Sequence, residues 1–277
     1  MHKVKPLVSV IIPFQRVDEF FETAVKSIVE QSYSNLEILL LNNSLLKVKR
    51  EKVLTDSRIR IVECRSLGTL SQILNKGIKE AKGQYIARMD SDDVSLPLRI
   101  EKQVEFLEQR NHIGILGTSI EVIDTENHHI EYRFQPSNHE DIVKRLYYNN
   151  PFFHPTIMFR TAVFQESNLR YKNSYVRAQD YELWTRMLNY VESANLNETL
   201  VQYRLHDQQA GKQLKYESLF YFRRAQLKFT LKSMFSRKSE WNPKFILRIS
   251  FRLIQHGLGL FLNKMYMRRL FFKSKTN

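Results

Sequence analysis

A short apolar run that ends in three carboxylates constrains the fold of this chain more than any other feature. The run Tyr85–Met89 is β-prone, and Asp90, Asp92 and Asp93 follow it at once. Ligands of open α/β sheets bind at the carboxyl ends of the strands, so these acids are candidates for a ligand site. Crowded carboxylates repel one another, and a divalent cation carrying a diphosphate is a natural counter-charge, because hard cations take oxygen ligands. A solvated acidic turn is the alternative, since short motifs often match by chance.

Strand patterns alternate with helix patterns through the first part of the chain. Continuous apolar stretches predict strands at residues 7–13, 36–41, 58–62 and 85–89. Apolar residues at helical spacing predict helices at residues 18–31 and 70–81, and a third that begins near Pro97. Strands that are apolar on both faces are typical of a parallel sheet covered by helices on both sides. The predicted fold class is therefore α/β, and the sequence lacks the glycine motifs of dinucleotide folds and P-loops.

The pattern changes after residue 112. Residues 113–123 and 130–134 are predicted strands on either side of a turn at residues 124–127. Residues 147–164 are aromatic and irregular, and a helix that carries Tyr181, Trp184 and Leu188 follows.

Five segments, in order over roughly residues 7–211, resemble the family 2 glycosyltransferases. They are the opening strand at residues 8–13, the second-strand entry at 31–38, the helix and acidic turn at 75–93, the late helix at 178–187 and the closing Tyr203–His206. The resemblance implies a GT-A fold, a Rossmann-like nucleotide-binding sheet with helices on both faces. It also implies a nucleotide-sugar donor and inverting transfer.

The resemblance assigns the acidic turn to a metal site for Mn²⁺ or Mg²⁺. We expect Asp92 to be the direct ligand and Asp90 to meet the donor ribose or a metal-bound water. Asp93 is either an outer carboxylate or a cap for the following helix. His206 is expected at the metal or the diphosphate, and imidazole suits Mn²⁺ better than Mg²⁺. A structural histidine is the alternative for His206.

An acceptor hydroxyl needs a base to take its proton as the new bond forms. The resemblance places that base at Asp180. The alternative is an N-cap aspartate for the helix that follows, and the two roles are compatible because a helix N-terminus holds a carboxylate in a fixed direction. Gln179 stands where the family often has an acid, which should leave Asp180 easier to ionise.

Residues of the donor site are predicted at the ends of the first, second and fourth strands: Pro13, Gln15, Asn42, Asp90 and Ser91. Two departures from the family lie here. Asn42 and Asn43 replace a carboxylate that receives the base edge, so recognition of uridine is less secure, although an amide both donates and accepts. Gln15 and Arg16 replace a tyrosine–asparagine pair, which removes a stacking ring.

Two aromatic side chains are predicted near the acceptor. His154 lies in a segment that resembles an acceptor-binding part of the family, and a partly buried structural histidine is the alternative. Trp184 is expected either to stack on a sugar ring or to belong to the core, as its helical spacing with Leu188 suggests.

The net charge of +14 lies entirely in the C-terminal part of the chain. Residues 1–211 hold 27 basic and 27 acidic residues, whereas residues 212–277 hold 16 basic residues and two acids. We therefore predict a catalytic domain at 1–211 and a basic, mostly helical extension at 212–277. Two basic series at helical spacing beside apolar residues favour an interfacial helix on anionic lipid: Arg224, Lys228, Lys232 and Lys244, Arg248, Arg252.

A helical subdomain packed on the catalytic domain is the alternative for this extension, and nucleic-acid binding is not expected because no recognition motif is present. The single Cys64 excludes a disulfide framework and fits a reducing compartment. No uncharged apolar run reaches the length of a membrane span. The expected location is the cytoplasm, peripheral on the inner face of the cell membrane.

The predicted reaction is transfer of a hexose or N-acetylhexosamine from a nucleotide sugar, with UDP preferred, to a hydroxyl of a lipid-linked or cell-surface glycan. Polysaccharide, capsule or lipopolysaccharide assembly would supply such acceptors. One alternative is a sugar- or membrane-binding protein with a degenerate site. A nucleotidyltransferase is a weaker alternative, since residues 13–16 lack a glycine-rich phosphate loop.

Overall fold

The structure is a computed structural model that describes residues 5–44, 55–207, 215–236, 251 and 254. Its described strands are β1 (Val8–Phe14), β2 (Leu36–Asn42), β3 (Ile59–Glu63), β4 (Tyr85–Arg88), β5 (Val94–Ser95), β6 (Ile113–Ile123), β7 (His129–Arg133), β8 (Met158–Arg160) and β9 (Glu192–Arg204). Its described helices are α1 (Glu19–Val29), α2 (Leu70–Glu80), α3 (Arg99–Gln109), α4 (His139–Leu146), α5 (Thr161–Glu166), α6 (Gln179–Met187) and α7 (Lys215–Ser236). A short 3₁₀ helix spans His154–Thr156.

One sheet contains all the described strands, in the order β3-β2-β1-β4-β8-β6-β9-β5, with β7 paired to β6. The four strands β3, β2, β1 and β4 are parallel, as the sequence predicts. Beyond them β8 runs antiparallel to both β4 and β6, so the second half of the sheet is mixed. The carboxyl ends of β1, β2 and β4 therefore meet at one edge of the parallel half.

Helices cover both faces of the parallel half because its strands are apolar on both sides. In β1, Val10 and Ile12 pack with the buried face of α1, whereas Ile11 packs with α2. The α1 helix begins where Asp18 accepts a hydrogen bond from the Phe21 amide at 3.0 Å. Gly77 lets α2 approach the sheet closely, since a Cβ there would lie 2.7 Å from Leu41 Cδ1.

Several elements of the second half had no counterpart in the sequence analysis. The segment described above as irregular contains β8 and the start of α5, and the long strand β9 was not predicted. β9 carries polar residues at many positions, and only pairing along the length of β6 makes it a strand. Tertiary pairing here outweighs a weak local pattern.

The first described helix of the basic extension packs on the catalytic domain. In α7, the ring of Phe222 lies 4.3 Å from that of Tyr181, and Ala225 is buried. The Arg224 guanidinium lies 5.1 Å from the ring centroid of Tyr175. Residues 215–236 are therefore packed on the catalytic domain, as in the alternative of a helical subdomain. The second basic series, at residues 244–252, and the predicted boundary near residue 211 lie outside the described residues. Within the described part of the chain, no helix has the length and apolar character needed to cross a membrane.

Candidate active site

Three acids crowd the turn that follows β4. Carboxylate oxygens of Asp90, Asp92 and Asp93 all lie within 4.8 Å of one another. Asp90 and Asp92 are half-buried, whereas Asp93 is fully buried. The turn lies beside the end of β1, because the Met89 amide donates to the Ile11 carbonyl at 3.2 Å. The alternative of a solvated acidic turn is therefore wrong, because Asp93 is excluded from water.

A buried arginine lies beneath this cluster. Arg88, at the end of β4, is only 2% exposed, and its guanidinium binds both oxygens of Asp90, with Nη1 2.7 Å from Oδ2. Its own carbonyl accepts a hydrogen bond from Nη2 of buried Arg99 at 2.8 Å. Burial raises the pKa of Asp90, while Arg88 lowers it and the Asp92 charge raises it further. Arg88 therefore balances only part of the acid charge.

Asp93 is tied to the last strand of the sheet. Its Oδ1 accepts a hydrogen bond from the Arg204 backbone amide at 2.9 Å, at the end of β9. Its Oδ2 is buried and has no hydrogen-bond partner among the described residues. Burial raises the pKa of Asp93 well above its usual range, and Asp92 and Asp90 add to this rise. The helix-capping alternative for Asp93 is wrong, since Leu98 is the N-cap residue of α3.

His206 lies at the same cluster, as predicted, although 114 residues separate it from Asp92 in sequence. Its Nε2 is 2.8 Å from Asp92 Oδ2, and its ring lies 5.7 Å from that of Phe20. Arg204 reaches the Asp92 carbonyl through Nε at 3.0 Å. The end of β9 therefore supplies both an imidazole and a guanidinium to the acidic turn.

These residues fit a divalent metal. Asp90, Asp92 and Asp93 offer carboxylate oxygens, His206 offers an imidazole nitrogen, and the orphaned Oδ2 of Asp93 is a buried acceptor that lacks a donor. Oxygen-rich donor sets suit Mg²⁺ and Mn²⁺, and an added imidazole favours Mn²⁺.

Asp180 lies in the first turn of α6. Its Oδ2 accepts a hydrogen bond from Asn150 Nδ2 at 2.7 Å. Burial raises the pKa of Asp180, while the Tyr181 amide, Asn150 and Arg88 act in the opposite direction. The N-cap position belongs instead to Ala178, whose φ of 50° places it in the left-handed region. This conformation costs a non-glycine residue about 1–2 kcal/mol and fixes the direction in which α6 starts. The N-cap alternative for Asp180 is therefore wrong.

The charge of Asp180 reaches the acidic turn. The Asp180 charge is among the causes that raise the pKa of Asp90, and Arg88 is among those that lower the pKa of Asp180. Both segments are therefore within electrostatic range of the same buried guanidinium. A carboxylate whose pKa is raised by its surroundings binds a proton more readily than an ordinary one, which suits Asp180 to accept a proton.

His154 lies next to this space, in the 3₁₀ helix. Its Nε2 is 2.9 Å from the Tyr171 hydroxyl, and burial together with the nearby Arg88 lowers the pKa of His154 well below its usual range. Asn75 fixes Tyr171 through two hydrogen bonds to its backbone, at 2.8 and 2.9 Å. His154 is thus a neutral, half-buried side chain near the base, and its predicted contact with an acceptor stays a prediction.

Two predicted contacts disagree with the geometry. Trp184 is fully buried, with its ring 5.5 Å from Phe152 and 5.7 Å from Phe159, so it belongs to the core and stacking on a sugar is wrong for this position. Asn42 is also fully buried. Its Nδ2 lies 3.2 Å from both oxygens of Glu63, and its Oδ1 accepts from the Ser44 amide, so its polar atoms already have the partners that buried groups need.

The other predicted donor residues lie at the expected edge. Pro13 and exposed Gln15 are at the end of β1, and half-buried Ser91 lies within the acidic turn. The sequence analysis assigned no role to Arg88, Asn150 or Tyr171. The role of Arg88 could have been found in the sequence. Arg88 comes two residues before Asp90 in an apolar segment, and residues two apart in a strand lie on the same side of the chain. Asn150 and Tyr171 left no such signal.

Comparison with known proteins decides the family. The sequence model described as "Glycosyl transferase family 2" matches residues 9–167. The chain is 35% identical over 218 residues to the O-antigen biosynthesis glycosyltransferase WbnJ of Escherichia coli, covering 76% of this chain and 84% of that protein. This chain belongs to the family 2 glycosyltransferases.

Further relatives support this glycosyltransferase assignment. The putative glycosyltransferase EpsE of Bacillus subtilis is 32% identical over 206 residues, which cover 72% of this chain and 73% of EpsE. Among solved structures, TarS 1-349 of S. aureus with UDP-GlcNAc gives a TM-score of 0.65 at 13% identity, over 90% of this chain and 72% of that one. The mannosyltransferase PcManGT of Pyrobaculum calidifontis, with GDP-Man and Mn²⁺, gives a TM-score of 0.58 at 14% identity. The match covers 94% of this chain and 76% of that one. The predicted GT-A fold is confirmed.

Proposed function

We propose that this glycosyltransferase is metal-dependent and inverting, and that it moves a hexose or N-acetylhexosamine from a UDP sugar to a glycan hydroxyl. The observation that carries the proposal is the convergence of two distant acidic segments, Asp90–Asp93 and Asp180, around Arg88. A transferase that uses a nucleotide diphosphate needs positive charge at the leaving group and a base at the acceptor. The two segments meet these two needs.

On the donor side, Asp90, Asp92, Asp93 and His206 would hold the cation. When bound, it would supply Lewis-acid charge against the diphosphate. Arg88 holds Asp90 in place through a two-point contact, and Arg204 anchors the turn to β9. Pro13, Gln15 and Ser91 line the sheet edge where the nucleoside would bind.

On the acceptor side, Asp180 would take the proton of the attacking hydroxyl. The hydrogen bond from Asn150 to Oδ2 of Asp180 helps to fix the direction of this carboxylate. Attack from the side of Asp180, opposite the leaving diphosphate, inverts the anomeric centre. The kinship with an O-antigen biosynthesis enzyme supports a cell-surface or lipid-linked glycan as the acceptor.

The donor test uses a panel of UDP-, GDP- and dTDP-sugars with Mn²⁺, in which released nucleoside diphosphate is measured. We expect turnover with a UDP-hexose or UDP-N-acetylhexosamine. Release of nucleoside diphosphate only from GDP- or dTDP-sugars would contradict the UDP assignment, but it would still support transferase activity. Release from none of them, together with intact nucleotide-sugar binding, would instead identify a degenerate binding protein. Pyrophosphate release from a nucleoside triphosphate and a sugar phosphate would identify a nucleotidyltransferase.

The basic extension supports a peripheral place on the inner face of the cell membrane. One side of α7 exposes Lys228, Leu231 and Lys232, a mixture of basic and apolar side chains that suits anionic lipid. We expect the full chain to bind anionic vesicles at low salt and to be released at high salt, because salt screens exposed charges.

Reversal of charge at both lysines, with Lys228→Glu and Lys232→Glu, should weaken vesicle sedimentation. Lys79→Glu, an exposed lysine on α2, is the matched control and should leave it unchanged. A full chain that ignores anionic vesicles at every salt concentration would contradict the membrane proposal without affecting the transferase.

A further inference from the structure

The long helix α7 presents two phenylalanine rings on one face. Phe222 and Phe229 are seven residues apart, which is close to two helical turns, so their side chains lie on the same side of the helix. Ala225 and Gln226 lie between them on this face and are buried. α7 therefore packs on the catalytic domain along a stripe that contains two aromatic rings.

Each ring packs on a tyrosine from a different segment of the catalytic domain. The Phe222 ring lies 4.3 Å from that of Tyr181, and the Phe229 ring lies 4.9 Å from that of Tyr147. Ring pairs at such distances attract one another beyond the area that they bury. Tyr181 belongs to α6, whereas Tyr147 ends α4. One helix therefore joins two segments that are distant in sequence.

The candidate base lies where these two segments meet. Asp180 directly precedes Tyr181. Its hydrogen-bond donor Asn150, at 2.7 Å, comes three residues after Tyr147. The Tyr181 hydroxyl donates to the Leu146 carbonyl, which is a second bond between the same segments. Through the two tyrosines, α7 thus holds both segments that the hydrogen bond to the base connects.

The segment that leads into α6 is held by the same helix. Tyr175 is buried, its ring lies 5.9 Å from that of Tyr221, and the Arg224 guanidinium lies 5.1 Å from its centroid. α7 therefore contacts the chain on both sides of Asp180 in sequence, at Tyr175 before it and at Tyr181 after it.

We infer that Phe222 and Phe229 are positioning residues of the transfer reaction, which keep Asn150 within hydrogen-bonding distance of Asp180. The inference rests on the proposed function, because that proposal makes Asp180 the base. A hydrogen bond weakens steeply as its angle departs from linear, and small displacements of a catalytic group are costly in rate. The first part of the basic extension thus serves the reaction as well as the fold.

The first test compares Phe222→Ala and Phe229→Ala with the wild type by release of UDP from a UDP-sugar with Mn²⁺. Without either ring Asn150 donates less well and the pKa of Asp180 rises. We therefore expect kcat/KM to fall by roughly tenfold at the acidic end of the pH profile and to change little at pH 8. Affinity for the UDP-sugar, measured by calorimetry, should not change. Leu219→Ala is the matched control, since Leu219 is an exposed side chain of the same helix, and it should keep the wild-type profile.

The pH dependence separates positioning from a purely structural role. Arg88, Asp90 and Tyr171 also interact electrostatically with Asp180, and the substitutions leave all three in place. A loss of folded protein alone would lower the rate at every pH. A uniform loss across the profile, or an unchanged profile, would overturn the inference.

A double-mutant cycle locates the effect at Asn150. In an Asn150→Ala background, Phe229→Ala should lower kcat/KM at the acidic end by less than about twofold, since the hydrogen bond is already absent. A further loss as large as in the wild-type background would contradict the proposed route. Phe229→Leu keeps most of the apolar volume and should shift the profile less, in the same direction. If the alanine variant does not fold, an unchanged profile in folded Phe229→Leu overturns the inference.

NMR of ¹³C-labelled aspartate carboxyl groups reads the ionisation of Asp180 without any turnover. The signal is assigned through Asp180→Asn, and the pKa of Asp180 should be higher in Phe229→Ala than in the wild type. A wild type that releases no UDP from any UDP-sugar would contradict the proposed function. An active wild type whose Asp180 keeps the same pKa in Phe229→Ala would overturn this inference alone.

Discussion

Glu182 and the acids of the candidate site differ in how their charge is balanced. Glu182, on α6, is 4% exposed and has two cations. Arg186 donates to it through Nε at 2.9 Å and Nη2 at 2.8 Å, and Lys172 Nζ lies 2.8 Å away. This carboxylate is fully compensated and needs no ligand.

The site acids, by contrast, outnumber their cations. Asp90, Asp92, Asp93 and Asp180 lie around Arg88, and burial raises the pKa of Asp90, Asp93 and Asp180. Asp180 and Glu182 are only two residues apart, so the difference arises from their surroundings. The fold neutralises Glu182 but leaves the site acids with too little positive charge. This difference indicates a site at which a bound ligand supplies the missing positive charge. Removal of a site acid should therefore cost activity, and removal of Glu182 should cost stability.

The largest effect is expected at the acidic turn. Asp92→Asn should lower kcat/KM by roughly 10³–10⁴-fold, because several kcal/mol of charge stabilisation at the leaving group are lost. EDTA should abolish wild-type transfer, and Mn²⁺ or Mg²⁺ should restore it. Mn²⁺ should also raise the Tm of the wild type by mass action and leave that of Asp92→Asn unchanged.

Asp141→Asn is the control for this substitution, since Asp141 is an exposed aspartate on α4, and it should keep full activity. Undiminished transfer in excess chelator would contradict the metal assignment.

Asp180→Asn should lower kcat by roughly 10²–10⁴-fold, because the amide cannot accept a proton. Nucleotide-sugar binding, measured by calorimetry, should change little. The free energy of unfolding should stay equal or rise, since a carboxylate whose pKa is raised by burial is replaced by a neutral group. Near-normal turnover would show that Asp180 has a structural role alone.

Glu182→Gln should reverse this pattern. It leaves Arg186 and Lys172 without their shared partner, and both are partly exposed, so we expect the free energy of unfolding to fall by about 1–3 kcal/mol. Below the unfolding transition, kcat should stay near the wild-type value. Urea denaturation gives the first quantity and initial rates the second. A large loss of turnover in folded protein would remove the distinction between the two groups.

Asn150→Ala should produce the smallest effect and one that depends on pH. Asp180 acts as a base only when it is ionised, and Asn150 donates to it and lowers its pKa. Without this donor the pKa of Asp180 rises, so the acidic limb of the kcat/KM profile should move to higher pH. We expect a loss of roughly tenfold at the acidic end and little change at pH 8. A uniform loss at every pH would indicate that Asn150 positions Asp180 without affecting its ionisation.

Much of the parallel half could be predicted from the sequence. The strands β1, β2, β3 and β4 and the helices α1, α2 and α3 follow from apolar patterns that are long and regular. The mixed half could not be predicted to the same extent, because β9 becomes a strand only by pairing with β6. The same difference holds for the site, where the acidic turn is local and its partners come from distant segments.

The sequence by itself determined the acidic turn, whose residues are adjacent along the chain. The order of five short segments determined the family and, through it, the base candidate. Tertiary structure decided which polar side chains are available. It buries Asn42 against Glu63 and Trp184 in the core, and it brings Asn150 to Asp180, Arg204 to Asp93 and His206 to Asp92. Burial and hydrogen bonding across 21 to 114 residues of sequence depend on how the strands are ordered in the sheet, and no local pattern encodes that order.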